Sequence, residues 1–203
     1  MAIRFHKGDL PAGTVYRDAV AIDTETLGLN PHRDRLCVVQ LSGGDGHADV
    51  VQIMPGQTQA PVLAAVLADP SVVKIFHYAR FDIAVLDHAF GVMAAPLFCT
   101  KIASRLTRTY TDRHGLKDLI KDLLDIDISK QQQSSDWAAE SLSDAQLAYA
   151  AGDVLHLHRL REMLEIRLER EGRKALAEAC FAFLPTRARL DLAGWGEEDI
   201  FAH

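Results

Sequence analysis

Ala19-Val20-Ala21-Ile22-Asp23-Thr24-Glu25-Thr26 is an apolar run that ends in two acids one residue apart. Side chains alternate across a strand, so a buried strand here projects the Asp23 and Glu25 carboxylates together from its end. Two like charges side by side repel. A cation between them removes the repulsion, and an oxygen-only pair selects a hard one, Mg²⁺ or Mn²⁺. Alone, an Asp-x-Glu is more often an acidic strand edge before a loop, so its meaning turns on the acids found further along.

With 203 residues, 48% hydrophobic and 25% charged, the chain holds enough apolar material for one compact domain. A single domain over 1–203 is expected, with a core at about 19–165 and C-terminal helices and a tail over 166–203. Apolar runs such as Val62 to Ala68 are too short to cross a bilayer, and Met1 to Lys7 lack a signal-peptide core, so no membrane contact and a cytoplasmic location are expected. Cys37, Cys99 and Cys180 are far apart and odd in number, the pattern of reduced thiols rather than of a disulfide framework or a zinc site. A net charge of −6 excludes a grip on a long polyanion through release of many counterions. Four acids around two divalent ions are close to neutral, which keeps a phosphate substrate compatible with that charge.

Outward from the opening stretch, residues 1–18 read as an edge strand or loop. Thr26 to Pro31 form a turn with Leu27 and Leu29 exposed beside the acids, and Leu36 to Ser42, Gly43 to Gly46 and Ala48 to Ile53 form strand, hairpin turn and strand. Gln59 to Ala68 has helical spacing, and Val72 to Phe76 is a further buried strand. Helices are expected over Phe81 to Phe90, Thr100 to Leu106 and Leu116 to Leu124, with Gly91 and Pro96 as breaks and a polar loop over Ile126 to Asp136. Ser143 with Gln146 is a capping box for a helix running, with Gly152 as its weak point, to about Arg170. A last helix, Lys174 to Phe183, is expected to end at Pro185.

Two further acids stand in telling places. Asp82, in His77-Tyr78-Ala79-Arg80-Phe81-Asp82, falls in the first turn of a helix just after a strand, where the helix dipole alone favours an acid. Tyr149 and Asp153 are at i and i+4 on one helix face. Asp-x-Glu on a strand, His-x-Ala-x-Phe-Asp after a later strand and Tyr-x-x-x-Asp on a late helix, in that order, resemble the three exonuclease motifs of the DEDD superfamily, and the tyrosine places the chain in its DEDDy branch. Lys130, Gln133, Ser135-Asp136-Trp137, Leu142-Ser143 and Gln146 are similar to the segment leading into the third motif of ribonuclease D-like enzymes. The run Asp23 to Cys37 looks most like the compact nanoRNase C branch.

That resemblance implies a ribonuclease H-like α/β fold, a mixed sheet flanked by helices. It implies hydrolysis of the 3′-terminal phosphodiester of short single-stranded RNA to nucleoside 5′-monophosphates, with two Mg²⁺ or Mn²⁺ ions on Asp23, Glu25, Asp82 and Asp153. Tyr149 would aim the water: a phenol of pKa about 10 is a poor base near neutral pH. Thr24 and Thr26 are expected substrate contacts. Leu29 matches an apolar wedge between the last two bases or is a turn leucine, and His77 contacts phosphate or is a hydrogen-bonded core histidine. Lys101, Arg113, His114, Lys117 and Lys130 are candidate phosphate contacts, with Lys117 and Lys130 carried forward. The chain ends about 50 residues after Asp153, without the helical domains of full ribonuclease D, which favours dinucleotides and other short RNAs. The branch forms closed homo-oligomers, and Leu190, Trp195 and Phe201 offer apolar contacts between subunits or pack on their own domain. A 3′-5′ DNA exonuclease shares the same five residues, and a catalytically silent nucleic-acid-binding scaffold is the remaining alternative, against which the complete acid set argues.

Overall fold

The computed structural model describes residues 2–129 and 131–203. Its frame is a six-stranded mixed sheet. The strands are β1 (Ala2–Lys7), β2 (Ala19–Thr26), β3 (Leu36–Ser42), β4 (His47–Gln52), β5 (Val73–Phe76) and β6 (Leu97–Cys99), in the order β1-β4-β3-β2-β5-β6. β2 runs antiparallel to β3 and parallel to β5, so the carboxyl ends of β2 and β5 open on the same edge. β3 is buried at every residue, as a central strand covered on both faces must be.

The helices are α1 (Pro61–Ala68), α2 (Ala79–Phe90), α3 (Thr100–Thr107), α4 (Leu116–Leu124), α5 (Asp144–Leu155), α6 (Leu157–Arg170) and α7 (Lys174–Leu190), followed by a π-helical turn at Asp191–Trp195. Most of the apolar interior is one cluster that runs from Val20, Ile22 and Leu41 through Leu63, Ile83 and Leu86 to Leu160 and Leu164. A second, smaller cluster of Cys37, Val38, Val50, Trp137 and Ala150 lies where α5 crosses β3 and β4. Cys37 and Cys99 are buried free thiols and Cys180 is half-buried. No helix among the described residues is long and apolar enough to cross a membrane.

Three expectations are corrected. β6 was not expected: Leu97–Cys99 is a three-residue strand too short to carry a period, and only its parallel pairing with β5 defines it. The long helix after Ser143 breaks at His156, not at Gly152: α5 ends and α6 begins there, with His156 at φ −103° and ψ −7°. The break lets Ala150, Ala151 and Val154 face the sheet from α5 while Leu157, Leu160, Leu164 and Leu168 form a separate buried stripe on α6. Pro185 does not end α7, which continues to Leu190. A proline inside a helix costs about 3 kcal/mol or more. Burying Phe181 and Leu184 just before it recovers about 1.5–3 kcal/mol each, and Ala188 is buried just after it, enough to hold the helix through that point.

Candidate active site

β2 is fully buried from Ala19 to Ile22, and its exposure begins at Asp23. Alternation sends Asp23 and Glu25 to the face crossed by α5, where a ligand oxygen from each lies within 4.8 Å of one from Asp153. Thr24 points to the other face and donates its hydroxyl to Asp82 Oδ1 at 2.7 Å. Asp82 is delivered by α2, which starts at a sharp turn: Tyr78, its N-cap residue, is left-handed at φ 73° and ψ 43°. α5 is set by the capping box expected from the sequence, with Gln146 N–H donating to Ser143 Oγ and Ser143 N–H donating to Gln146 Oε1.

The electrostatics are those of several carboxyl groups crowded together. Burial, then the charges of Asp82, Asp153 and Glu25, push the Asp23 carboxyl well above the usual carboxylate range. Burial together with Asp153 and Asp82 pushes Glu25 up to about 9. Asp82 is pushed up to about 7 by burial, against the lowering effect of the Thr24 hydroxyl, and Asp153 to about 7 by burial, against that of the Tyr149 hydroxyl. Burial and the neighbouring acids also raise the Tyr149 phenol, which stays protonated at any physiological pH.

The four acids differ in this from another buried carboxylate beside a cavity of about 520 Å³ near β1. Burial raises Asp49, but hydrogen bonds from His6, Tyr16 and Arg4 outweigh it and hold Asp49 below the usual range. Asp49 is already neutralised and satisfied; the cluster at Asp23 is not. Carboxylate oxygens converging without a cation suit a hard divalent ion.

Asp23, Glu25, Asp153 and Tyr149 line a cavity of about 310 Å³ with His77, Tyr78, Lys101, Lys117, Ser129 and Gln133. Asp82 stands outside the 4.8 Å set but is close enough to raise both Asp23 and Glu25. Of the expected substrate contacts, Thr24, His77 and Lys117 line this cavity. His77 Nδ1 is 2.9 Å from Thr100 Oγ1, and burial and Lys101 hold the ring neutral, down to about 3. Thr24 spends its hydroxyl on Asp82, and Thr26 spends its own on Gly28 O. Leu29 is 84% exposed and lines an adjoining cavity instead. Arg113 is paired with Asp118, and His114 Nδ1 lies 2.9 Å from Ser104 Oγ. Lys130 lies outside the described residues.

Three residues of this neighbourhood stand outside the candidate site residues named from the sequence. Tyr78 walls both the acid cavity and the Leu29 cavity, with the Lys101 ammonium 4.2 Å from its ring centre. Trp137 packs its ring 5.9 Å from that of Tyr149. Gln40 donates to Asp23 Oδ2 at 2.7 Å, and only the pairing of β2 with β3 brings the two together.

The sequence profile of the 3′-5′ exonuclease domain matches residues 10–169, a span that holds all four acids and the tyrosine. The chain belongs to this exonuclease family. Among solved structures the exonuclease is similar to NrnC of Brucella melitensis with bound Mg²⁺, 69% identical with a TM-score of 0.97 over 100% of both chains. It is likewise similar to Brucella melitensis NrnC bound to pGG, 70% identical with a TM-score of 0.97 over 100% of this chain and 99% of that one. It is 43% identical to the ribonuclease D of Gluconacetobacter diazotrophicus over 154 residues, which are 76% of this chain and 39% of the relative. The chain thus spans about two fifths of the length of the ribonuclease D relatives it matches. The fold and family implied by the motifs are those found: a mixed sheet flanked by helices, ribonuclease D-like.

Proposed function

We propose that this exonuclease removes nucleoside 5′-monophosphates from the 3′ end of short oligoribonucleotides and dinucleotides in the cytoplasm, with two Mg²⁺ or Mn²⁺ ions held by Asp23, Glu25, Asp82 and Asp153. The single observation that carries the reading is the convergence of Asp23, Glu25 and Asp153 oxygens within 4.8 Å of one another in the wall of a cavity. Ions bound there supply a lowered pKa for the attacking water and positive charge for the leaving 3′ oxygen. The residues do the rest. Tyr149, raised and therefore a donor, orients the water rather than deprotonating it. Lys101 and Lys117 face the same cavity as cations for the substrate phosphate. Leu29, projecting into solvent, and the half-exposed Tyr78 ring offer apolar surface to bases of any identity.

A preference for short RNA is supported by the end-to-end match to a protein solved with pGG and by a net charge of −6, which gives long RNA little to hold. Association between copies through the exposed Trp195 and Phe201 is part of the same proposal; Phe201 also leans on Phe183, with ring centres 6.0 Å apart.

The test is a digestion of a labelled RNA length ladder in Mn²⁺, beside matched DNA, chelator and Asp82→Ala controls. Rapid cleavage of the dinucleotide, abolished by chelator and by the substitution, is expected. Equal rates on 2-mers and 20-mers overturn the short-substrate reading, and a preference for DNA overturns the choice of RNA.

A further inference from the structure

Gln40 is entirely buried on β3, in register with Asp23 of β2 on one side and Val50 of β4 on the other. Val38, Val50 and Ala150 are apolar neighbours on its face of the sheet, and Gln52 on that face is engaged by the Ala139 carbonyl. Its amide therefore meets one polar partner: Nε2 donates to Asp23 Oδ2 at 2.7 Å, and Oε1 is buried with none. The direction of the amide is not arbitrary, because a carboxylate can accept only from the NH₂ end. Burying an amide with its acceptor unsatisfied is unfavourable, and the one bond that this burial secures is the donation to Asp23.

We infer that Gln40 is a positioning residue for the metal ligand Asp23. It engages Oδ2, stops the carboxylate from turning about its own axis, and leaves Oδ1 as the atom presented toward Glu25 and Asp153. It touches neither the cavity nor the substrate, since it is absent from the cavity wall. Its effect reaches the reaction only through the geometry of one ligand. Partners that orient metal-ligating side chains in this way typically change metal affinity by roughly 10–100-fold when removed. The inference rests on the proposed metal site, but not on the identity of the nucleic acid.

The experiment is a direct Mn²⁺ titration, by electron paramagnetic resonance or calorimetry, of wild type, Gln40→Met and Gln52→Met. Gln52 is a matched control on the same face: it is buried, leaves its own Oε1 unpartnered, and donates to the Ala139 carbonyl rather than to an acid. Gln40→Met is expected to weaken Mn²⁺ binding about 10-fold or more, while the metal-free protein loses no more in melting temperature than Gln52→Met, which also strands one acceptor. Gln52→Met is expected to leave Mn²⁺ affinity unchanged. Gln40→Asn, whose amide stops one methylene short, serves if the methionine variant does not fold, and is expected to lose affinity likewise. Wild-type affinity in both Gln40 variants, or an equal loss in Gln52→Met, overturns the inference. A wild type that binds no Mn²⁺ sinks both this assignment and the metal site; a metal-binding wild type that cleaves no RNA sinks only the substrate.

Discussion

Asp153→Asn should stabilise the metal-free protein, and the size of the gain should depend on pH in a defined way. Asp153 is pushed up to about 7 by burial, against an ordinary value of about 3.9. A group whose folded pKa is raised holds its proton longer in the folded state than in the unfolded one, so stability falls as pH rises. For this carboxyl the loss begins near pH 4, accumulates at about 1.4 kcal/mol per pH unit, and levels off above about pH 7. The three-unit span sets a ceiling of about 4 kcal/mol. An asparagine cannot ionise, keeps the shape, and can still accept from the Tyr149 hydroxyl. The stability difference between Asp153→Asn and wild type in chelator should therefore be near zero at about pH 4 and widen steadily to about pH 7. At roughly 2–4 °C per kcal/mol for a chain of this size, the full effect is a rise in Tm of up to about 16 °C. Differential scanning fluorimetry across that range reads it, and subtraction cancels the titrations of groups remote from Asp153; the neighbouring acids, relieved of its charge, add to the gain in the same direction. In saturating Mn²⁺ the order should reverse, since only the wild type keeps all its ligands. A difference that does not change with pH, or a variant less stable than wild type in chelator above pH 7, would refute the claim that burial holds the Asp153 carboxyl above its ordinary range.

Two other outcomes follow from single contacts. Tyr149→Phe removes only a hydroxyl from a ring packed on Trp137, so Tm should hold while kcat falls by about 10²-fold with KM little changed, read on a dinucleotide under steady-state conditions. Lys74 is a wholly buried ammonium that donates to the carbonyls of Asp69, Val72 and Ala95 at the sheet edge remote from the acids. Lys74→Met strands those acceptors and should cost about 2–3 kcal/mol by urea denaturation, with activity per folded molecule unchanged.

The site was legible in the sequence wherever chemistry and local geometry coincide. Asp23 and Glu25 share a face because any strand has a period of two, and Tyr149 and Asp153 share one because any helix brings i and i+4 together. The capping box at Ser143 and Gln146 is likewise a local contract, closed within four residues. Nothing local says that Thr24 will hand its hydroxyl to a residue 58 positions away, or that Gln40 will be bound to Asp23 rather than turned to solvent. Those bonds exist because strand register and the placement of α2 put particular atoms at hydrogen-bond distance, and register is decided by how the whole apolar face is buried.

The same division runs through the fold. By itself the sequence determined most of the order of elements and the buried character of β2, β3 and β5, because periodicity is a property of neighbouring residues; that the four acids belong together followed from the resemblance of the three motifs to the exonuclease family. Only the tertiary structure decided that Leu97–Cys99 is a strand, that the chain bends at His156 rather than Gly152, and that α7 runs through Pro185. In each of these the local preference is worth a few kcal/mol at most and was outweighed by apolar burial against partners distant in sequence.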